Sequence, residues 1–216
     1  MRYAVYFCPA PDSALHAFGT EWLATTVVPT IAPERLQVLL ADVRRYGWHA
    51  TLTAPFELAS HASYDDLHRR IADIAVYTPA FELPLQLDTL AGFLALRPCG
   101  DTQAVDALAA QCVRDLNTLR APITQAAWER RAETLDDTEH TLFRQYGYPY
   151  VLDRYRFHLT LSAPATAEEE QALCAYLLPK LGHAPCARID ALTVCREPIP
   201  GAAFEQLVSL PLKAAA

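Results

Sequence analysis

Three observations predict an α+β fold of two similar lobes. Strand-like and helix-like stretches alternate along the chain. Each half carries a strand, then a helix, then a strand pair around a turn, which makes a weak internal repeat. One phrase, an aromatic residue followed by His-x-Thr-Leu, occurs once in each half. At 216 residues the chain is read as one domain, 1–216, made of two lobes that each contribute one His-x-Thr strand.

The elements follow in order. Arg2 to Cys8 is apolar but too short for the core of a signal peptide, and Pro9 and Asp12 follow at once, so it reads as a first strand. Asp12 to Thr26 reads as a helix, with Leu15, Phe18, Trp22 and Leu23 near one stripe. Thr30 to Tyr46 reads as loop plus a short helix around Glu34 to Ala41. Trp48 to Thr53 alternates as a strand and ends at Pro55. Ser63 with Asp66 resembles a capping box and opens a helix to about Val76. Phe81 to Leu87 and Gly92 to Arg97 are a strand pair, and Asp101 caps a helix to about Leu119. One or two helices fill Ala121 to Gly147, closed by Gly147 and Pro149. Tyr155 to Ser162 is a strand, Thr166 with Glu169 opens a helix ending near Pro179, and Arg188 to Arg196 and Phe204 to Leu212 are the last strands.

Composition narrows the function. Hydrophobic residues make up 52% and charged residues 20%, which excludes a disordered chain. No apolar run reaches the roughly 18 residues of a membrane-spanning helix. The net charge of −7 argues against a generic binder of long nucleic acid or of an anionic membrane. Lys180 and Lys213 are the only lysines beside sixteen arginines. Arginine suits bidentate recognition of phosphate or carboxylate, although a GC-rich genome gives the same bias. The six cysteines show no Cys-x-x-Cys spacing and read as reduced thiols of a cytoplasmic protein.

The repeated phrase carries the chemistry. Its copies are Tyr46-Gly47-Trp48-His49-Ala50-Thr51-Leu52-Thr53-Ala54-Pro55 and Tyr155-Arg156-Phe157-His158-Leu159-Thr160-Leu161-Ser162-Ala163-Pro164. On a strand, side chains alternate between faces, so His49, Thr51 and Thr53 share one face and Trp48, Ala50 and Leu52 the other. The second copy repeats this with His158, Thr160 and Ser162 against Phe157, Leu159 and Leu161. Two such rows meeting in a cleft suit phosphodiester chemistry. One neutral imidazole takes a proton from the attacking oxygen and one imidazolium protonates the leaving oxygen, each worth about 10²–10⁴ in rate. Threonine hydroxyls donate to the non-bridging phosphoryl oxygens. Unperturbed histidines, with pKa values near 6.5, offer both forms at neutral pH. No metal or other cofactor is needed. A catalytic zinc usually has three protein ligands, and neither row supplies a third. His16, His61, His68, His140 and His183 fall in helical or loop segments and read as surface residues.

The two phrases resemble the signature of the 2H phosphoesterase superfamily. Their wider context resembles the branch linked to phosphonate metabolism, the DUF1045 family: Arg2 to Phe7, Tyr46 to Leu52, Leu96-Arg97-Pro98, Leu119-Arg120-Ala121-Pro122, Gly147 to Val151, and Phe157 to Leu161. The resemblance implies two pseudo-symmetric ferredoxin-like lobes with antiparallel sheets flanking a central cleft, His49 and His158 as a catalytic acid/base pair, and Thr51 and Thr160 as the phosphate holders. It also implies a small phosphorylated substrate. Superfamily substrates include 2′,3′-cyclic nucleotides, ADP-ribose 1″,2″-cyclic phosphate and RNA ends, and the operon association of this branch suggests a phosphoribosyl cyclic phosphate.

Parity adds secondary candidates for substrate binding. Arg154 and Arg156 share strand parity with His158, and Arg45 shares it with His49. Tyr6 on the first strand, and Phe93 and Arg97 on the strand after Gly92, are further cleft candidates. The competing readings are a module that binds a phosphorylated nucleotide or sugar without turnover, and an enzyme of RNA 2′,3′-cyclic ends.

Overall fold

The structure, a computed structural model, describes residues 1–182 and 185–214. His183 lies outside the described residues. The strands are β1 (Arg2–Phe7), β2 (Ala50–Phe56), β3 (Phe81–Leu90), β4 (Phe93–Pro98), β5 (Leu159–Thr160), β6 (Cys186–Ile189), β7 (Ala191–Glu197) and β8 (Glu205–Pro211). The helices are α1 (Ala14–Ala24), α2 (Pro33–Tyr46), α3 (Tyr64–Tyr77), α4 (Gln103–Leu116), α5 (Gln125–Ala132), α6 (Asp137–Tyr146) and α7 (Ala167–Leu181). The fold is α+β, as the alternation of patterns predicts.

The strands form one eight-stranded sheet in the order β6-β3-β4-β5-β2-β1-β7-β8, and every ladder between them is antiparallel. The two motif strands, β2 and β5, are neighbours at its centre. To one side lie β1, β7 and β8, to the other β4, β3 and β6. The strand pair β3–β4, which follows the first motif strand in the chain, therefore flanks the second motif, and β7–β8 lie on the side of the first. The chain halves interleave. β6 ends the order, yet only Asp190 separates it from β7 near the opposite end. One residue spans at most about 3.6 Å, so the sheet curls until its ends approach.

Alternation sorts the side chains. Tyr3, Val5, Phe7, Ala50, Leu52, Leu94, Leu96, Leu159, Leu161, Leu192 and Val194 point into the main core. Ala4, Tyr6 and Cys195 lie on the opposite face with Phe204. Helix α1 fastens both motif strands to this core. Trp48 Nε1 donates to the Leu15 carbonyl at 3.0 Å, and Trp22 Nε1 donates to the Leu161 carbonyl at 2.9 Å. The first contact depends on Gly19, where any Cβ would overlap the Trp48 ring.

Several boundaries differ from the expectation, each for a physical reason. α2 is a full fourteen residues rather than a short helix. Pro33 opens it, where a missing N–H costs nothing, and Leu36, Leu39, Leu40 and Val43 make its buried stripe. β2 runs through Pro55 instead of stopping there. Its pairing with β1 shifts between Tyr3/Val5 and again between Val5/Tyr6, and such a bulge accommodates a residue without an N–H. β5 is two residues long, not the whole of Tyr155 to Ser162. Leu152–Arg154 form a 3-10 turn, and Tyr155 reaches β2 through its side chain, its hydroxyl donating to the Thr51 carbonyl at 3.0 Å. The segment expected as one strand from Arg188 to Arg196 is broken at Asp190 into β6 and β7, on different sides of the sheet. The capping boxes of Ser63 with Asp66 and Thr166 with Glu169 form as read, although α7 continues past Pro179 to Leu181.

Candidate active site

The β2–β5 contact positions the two motifs. Ala50 pairs with Leu159, and both are fully buried. Continuing this antiparallel register by one residue sets His49 across from Thr160 and Thr51 across from His158. The two His-x-Thr rows thus lie on one face, related by a local two-fold axis through the Ala50–Leu159 pair, with core packing on the other face. His49, Thr51, His158 and Thr160 all line one cleft of about 810 Å³. Thr53 and Ser162 leave the rows: Thr53 Oγ1 is buried without a partner, and buried Ser162 accepts from the Leu94 amide.

Each imidazole is oriented in the same way. Nδ1 of His49 lies 2.9 Å from the Gly47 carbonyl, and Nδ1 of His158 lies 2.7 Å from the Arg156 carbonyl. A carbonyl only accepts, so each Nδ1 carries the proton and each neutral ring keeps its Nε2 lone pair. Each ring also leans on an aromatic side chain of the flanking strand. Tyr6 stacks on His49 with centroids 3.9 Å apart, and Phe93 tilts against His158 at 5.6 Å.

Burial lowers the His49 pKa from its usual 6.5 to about 4; the bond to Gly47 opposes the shift and the charge of His158 adds to it. Burial also lowers His158, against its bond to Arg156 and with help from Arg97. Both rings are therefore neutral at pH 7 in the free protein, whereas unperturbed histidines would populate both forms. Burial holds the Tyr6 hydroxyl far above the usual tyrosine range, so it stays protonated.

The secondary candidates separate. Tyr6 lines the main cleft. Phe93, Arg154 and Arg156 line a second chamber of about 450 Å³ that shares Thr51 and His158 with the first. Arg154 sits in the 3-10 turn, not on a strand, and pairs with Asp136 at 3.0 Å. Arg97 on β4 pairs with Asp88 at 2.6 Å beside His158. Arg45 is in the last turn of α2, so strand parity does not govern it, and it is held by Asp42 and the Tyr46 hydroxyl. His140 is half-buried rather than a plain surface residue; its Nε2 bonds the Ala132 carbonyl and its ring meets Trp128. Among the described residues no cluster of three His, Cys, Asp or Glu side chains fit for a metal occurs, and no helix is long and apolar enough to cross a membrane. The cysteines are free thiols.

Motif reading missed part of the cleft wall. Arg2, Tyr46, Arg120, Arg130, Arg131 and Tyr148 all line it. Arg120 and Tyr148 stand in the phrases Leu119-Arg120-Ala121-Pro122 and Gly147-Tyr148-Pro149, which could have marked them. Gly147 has φ +72°, and a Cβ there would strike the Arg120 guanidinium, so these two phrases are packed together. Nothing local marks Arg130 and Arg131.

The fold is thus an α+β one built on a curled antiparallel sheet, with one His-x-Thr motif at each of its two central strands. The chain belongs to the DUF1045 family, described as "Protein of unknown function (DUF1045)", whose model matches residues 51–205. It is 34% identical over 229 residues to the ribose 1,5-bisphosphate phosphokinase PhnN of Janthinobacterium sp. (strain Marseille), covering 97% of this chain and 50% of that protein. It is 35% identical over 211 residues to the protein of that name in Laribacter hongkongensis (strain HLHK9), covering 94% and 50%. The chain thus spans about half the length of these curated relatives. Among solved structures it is similar to LigT of E. coli complexed with phosphate (11% identity, 98% of this chain and 97% of that one, TM-score 0.48) and to TT0787 of Thermus thermophilus (13%, 100% of both, TM-score 0.49).

Proposed function

We propose that the protein is a phosphoesterase that opens a small cyclic phosphodiester by two-histidine acid/base catalysis. The observation that carries this reading is the local two-fold arrangement of His49, Thr160, His158 and Thr51 in one cleft, with both Nδ1 atoms tied to carbonyls. His49, whose pKa falls to about 4, is the base: its Nε2 takes a proton from the attacking water. His158 is the acid. A bound phosphate anion raises its pKa, and the resulting imidazolium gives its proton to the leaving oxygen as the P–O bond breaks. One water is consumed and a phosphomonoester is released. Solvent then takes the proton from His49 and returns one to His158. Thr51 and Thr160 donate to the two non-bridging oxygens, where charge gathers in the transition state.

A phosphoribosyl cyclic phosphate is the preferred substrate in this reading. In support, the chain matches about half of relatives named for a kinase of ribose 1,5-bisphosphate, which associates it with ribose phosphate chemistry. Screening cyclic phosphates in the presence of EDTA, with phosphoribosyl 1,2-cyclic phosphate and 2′,3′-cyclic nucleotides included, tests it. EDTA-resistant ring opening is expected. Tight binding with no product over hours would make the protein a binding module instead.

A further inference from the structure

The cleft wall beyond the histidines has its own chemistry. The protein as a whole is acidic, with a net charge of −7, yet this cleft is lined by four arginines and by Glu57 as its one carboxylate among the described residues. Arg2 is neutralised by Glu197. The other three have no carboxylate within ion-pair distance among the described residues. Arg120 is half-buried and held by neutral acceptors, the Ala121 and Gln145 carbonyls at 2.8 and 3.1 Å and the Asn117 side-chain oxygen at 3.4 Å. Arg131 lies over the Tyr148 ring, 5.1 Å from its centroid, so its guanidinium has a fixed seat. Arg130 is exposed on the same last turn of α5. Three unpaired cations gathered at one wall repel one another and persist where an anion compensates them. The cleft volume of about 810 Å³ is near the upper end for small-molecule sites and far exceeds one phosphoryl group.

We infer that Arg120, Arg130 and Arg131 form a second anion site, which takes a non-reacting phosphomonoester on the same substrate whose cyclic phosphodiester lies at the histidines. This rests on the hydrolytic reading for the role of the histidines, but not for the binding itself. Arginine forks match a phosphate dianion bidentately. The position of Arg130 and Arg131 on α5, which buries none of its residues, lets that helix settle on the ligand without disturbing the core. On this side α5 is fastened by aromatic and cation–π contacts: Trp128 stacks on Phe143 with centroids 5.6 Å apart, and Arg144 lies over Trp128.

The test is calorimetric binding of adenosine 2′-monophosphate and adenosine 2′,5′-bisphosphate, product-like monoesters that need no turnover, to wild type and to the Arg130→Gln/Arg131→Gln variant. The wild type is expected to bind the bisphosphate about 10- to 100-fold more tightly, the worth of one or two charge-assisted hydrogen bonds. In the variant that ratio is expected to fall towards one. Both substitutions sit on an exposed helix, so folding is checked by an unchanged circular dichroism spectrum. Equal affinities in the wild type, or a ratio unaltered in the variant, would overturn the second site. A retained ratio in wild-type protein that opens no cyclic phosphate would instead leave the second site standing and remove the hydrolytic reading.

Discussion

His49 and His158 occupy equivalent positions about the Ala50–Leu159 pair: each faces the threonine of the other motif, and each donates its Nδ1 proton to the carbonyl two residues before it. Two strands supply identical groups with opposite polarity. In the proposed reaction a phosphodiester placed between them meets the neutral Nε2 of His49 on one side and, once its charge has raised the His158 pKa, an imidazolium on the other. The symmetry is broken by environment, because His49 is buried under Tyr6 and titrates near 4.

That inequality gives a pH–rate prediction. In the free protein both rings are neutral at pH 7, while the proposed reaction needs His49 neutral and His158 protonated. Since kcat/KM reports the free enzyme, it is expected to rise as pH falls from 8 towards the lowered pKa of His158, then to drop as pH passes below about 4 and His49 protonates. The kcat profile is expected to lie at higher pH, because the substrate anion stabilises the imidazolium. Initial rates in constant-ionic-strength buffers across the range from acid to mildly alkaline pH check this. Profiles centred on the ordinary histidine value, near 6.5, would show that neither ring is perturbed.

Stability follows the same shift. A histidine whose folded pKa lies below its unfolded value binds fewer protons when folded, so stability is fully present above about 6.5 and is lost as pH falls towards 4. His49 alone accounts for a loss of up to about 3 kcal/mol over that window. Urea unfolding of wild type and His49→Gln at neutral pH and near the lower end of that window measures it. The variant is expected to lose less stability on acidification.

Much of this was legible in the sequence, because the period-two alternation around His49 and His158 is local and states which side chains share a face. The capping boxes of Ser63 and Thr166 were legible for the same reason. The pairing of β2 with β5 was not, since the register Ala50 to Leu159 joins residues more than a hundred positions apart. Strand parity failed for Arg45 and Arg154, where the backbone is helical rather than extended. Arg130 and Arg131 went unseen because only the path of α5 brings them to the cleft.

Gly19 predicts a coupling between packing and catalysis. A methyl group there overlaps the Trp48 ring, whose neighbour in the chain is His49. Gly19→Ala is expected to cost about 1–3 kcal/mol by overpacking and to lower kcat/KM about 10- to 100-fold by displacing His49. Thermal unfolding and steady-state kinetics measure both. Loss of stability with unchanged kinetics would place the strain away from the motif.

The two ties on the second motif can be separated. Trp22→Phe removes the bond to the Leu161 carbonyl, and Tyr155→Phe removes the bond to the Thr51 carbonyl. Each leaves an acceptor without its donor and is expected to cost about 1–3 kcal/mol. The Tyr155 tie joins the two motifs directly, so its loss is expected to reduce kcat, whereas Trp22→Phe acts chiefly on the unfolding midpoint. Chemical denaturation paired with kinetics distinguishes them.

The direct test of the two-histidine site is turnover of a cyclic phosphate by His49→Ala, His158→Ala and the double variant beside the wild type. Each single substitution is expected to lower kcat about 10²- to 10⁴-fold, and the double to fall little further, because the two groups act as a unit. Turnover at the wild-type rate by either single variant would contradict the acid/base pair.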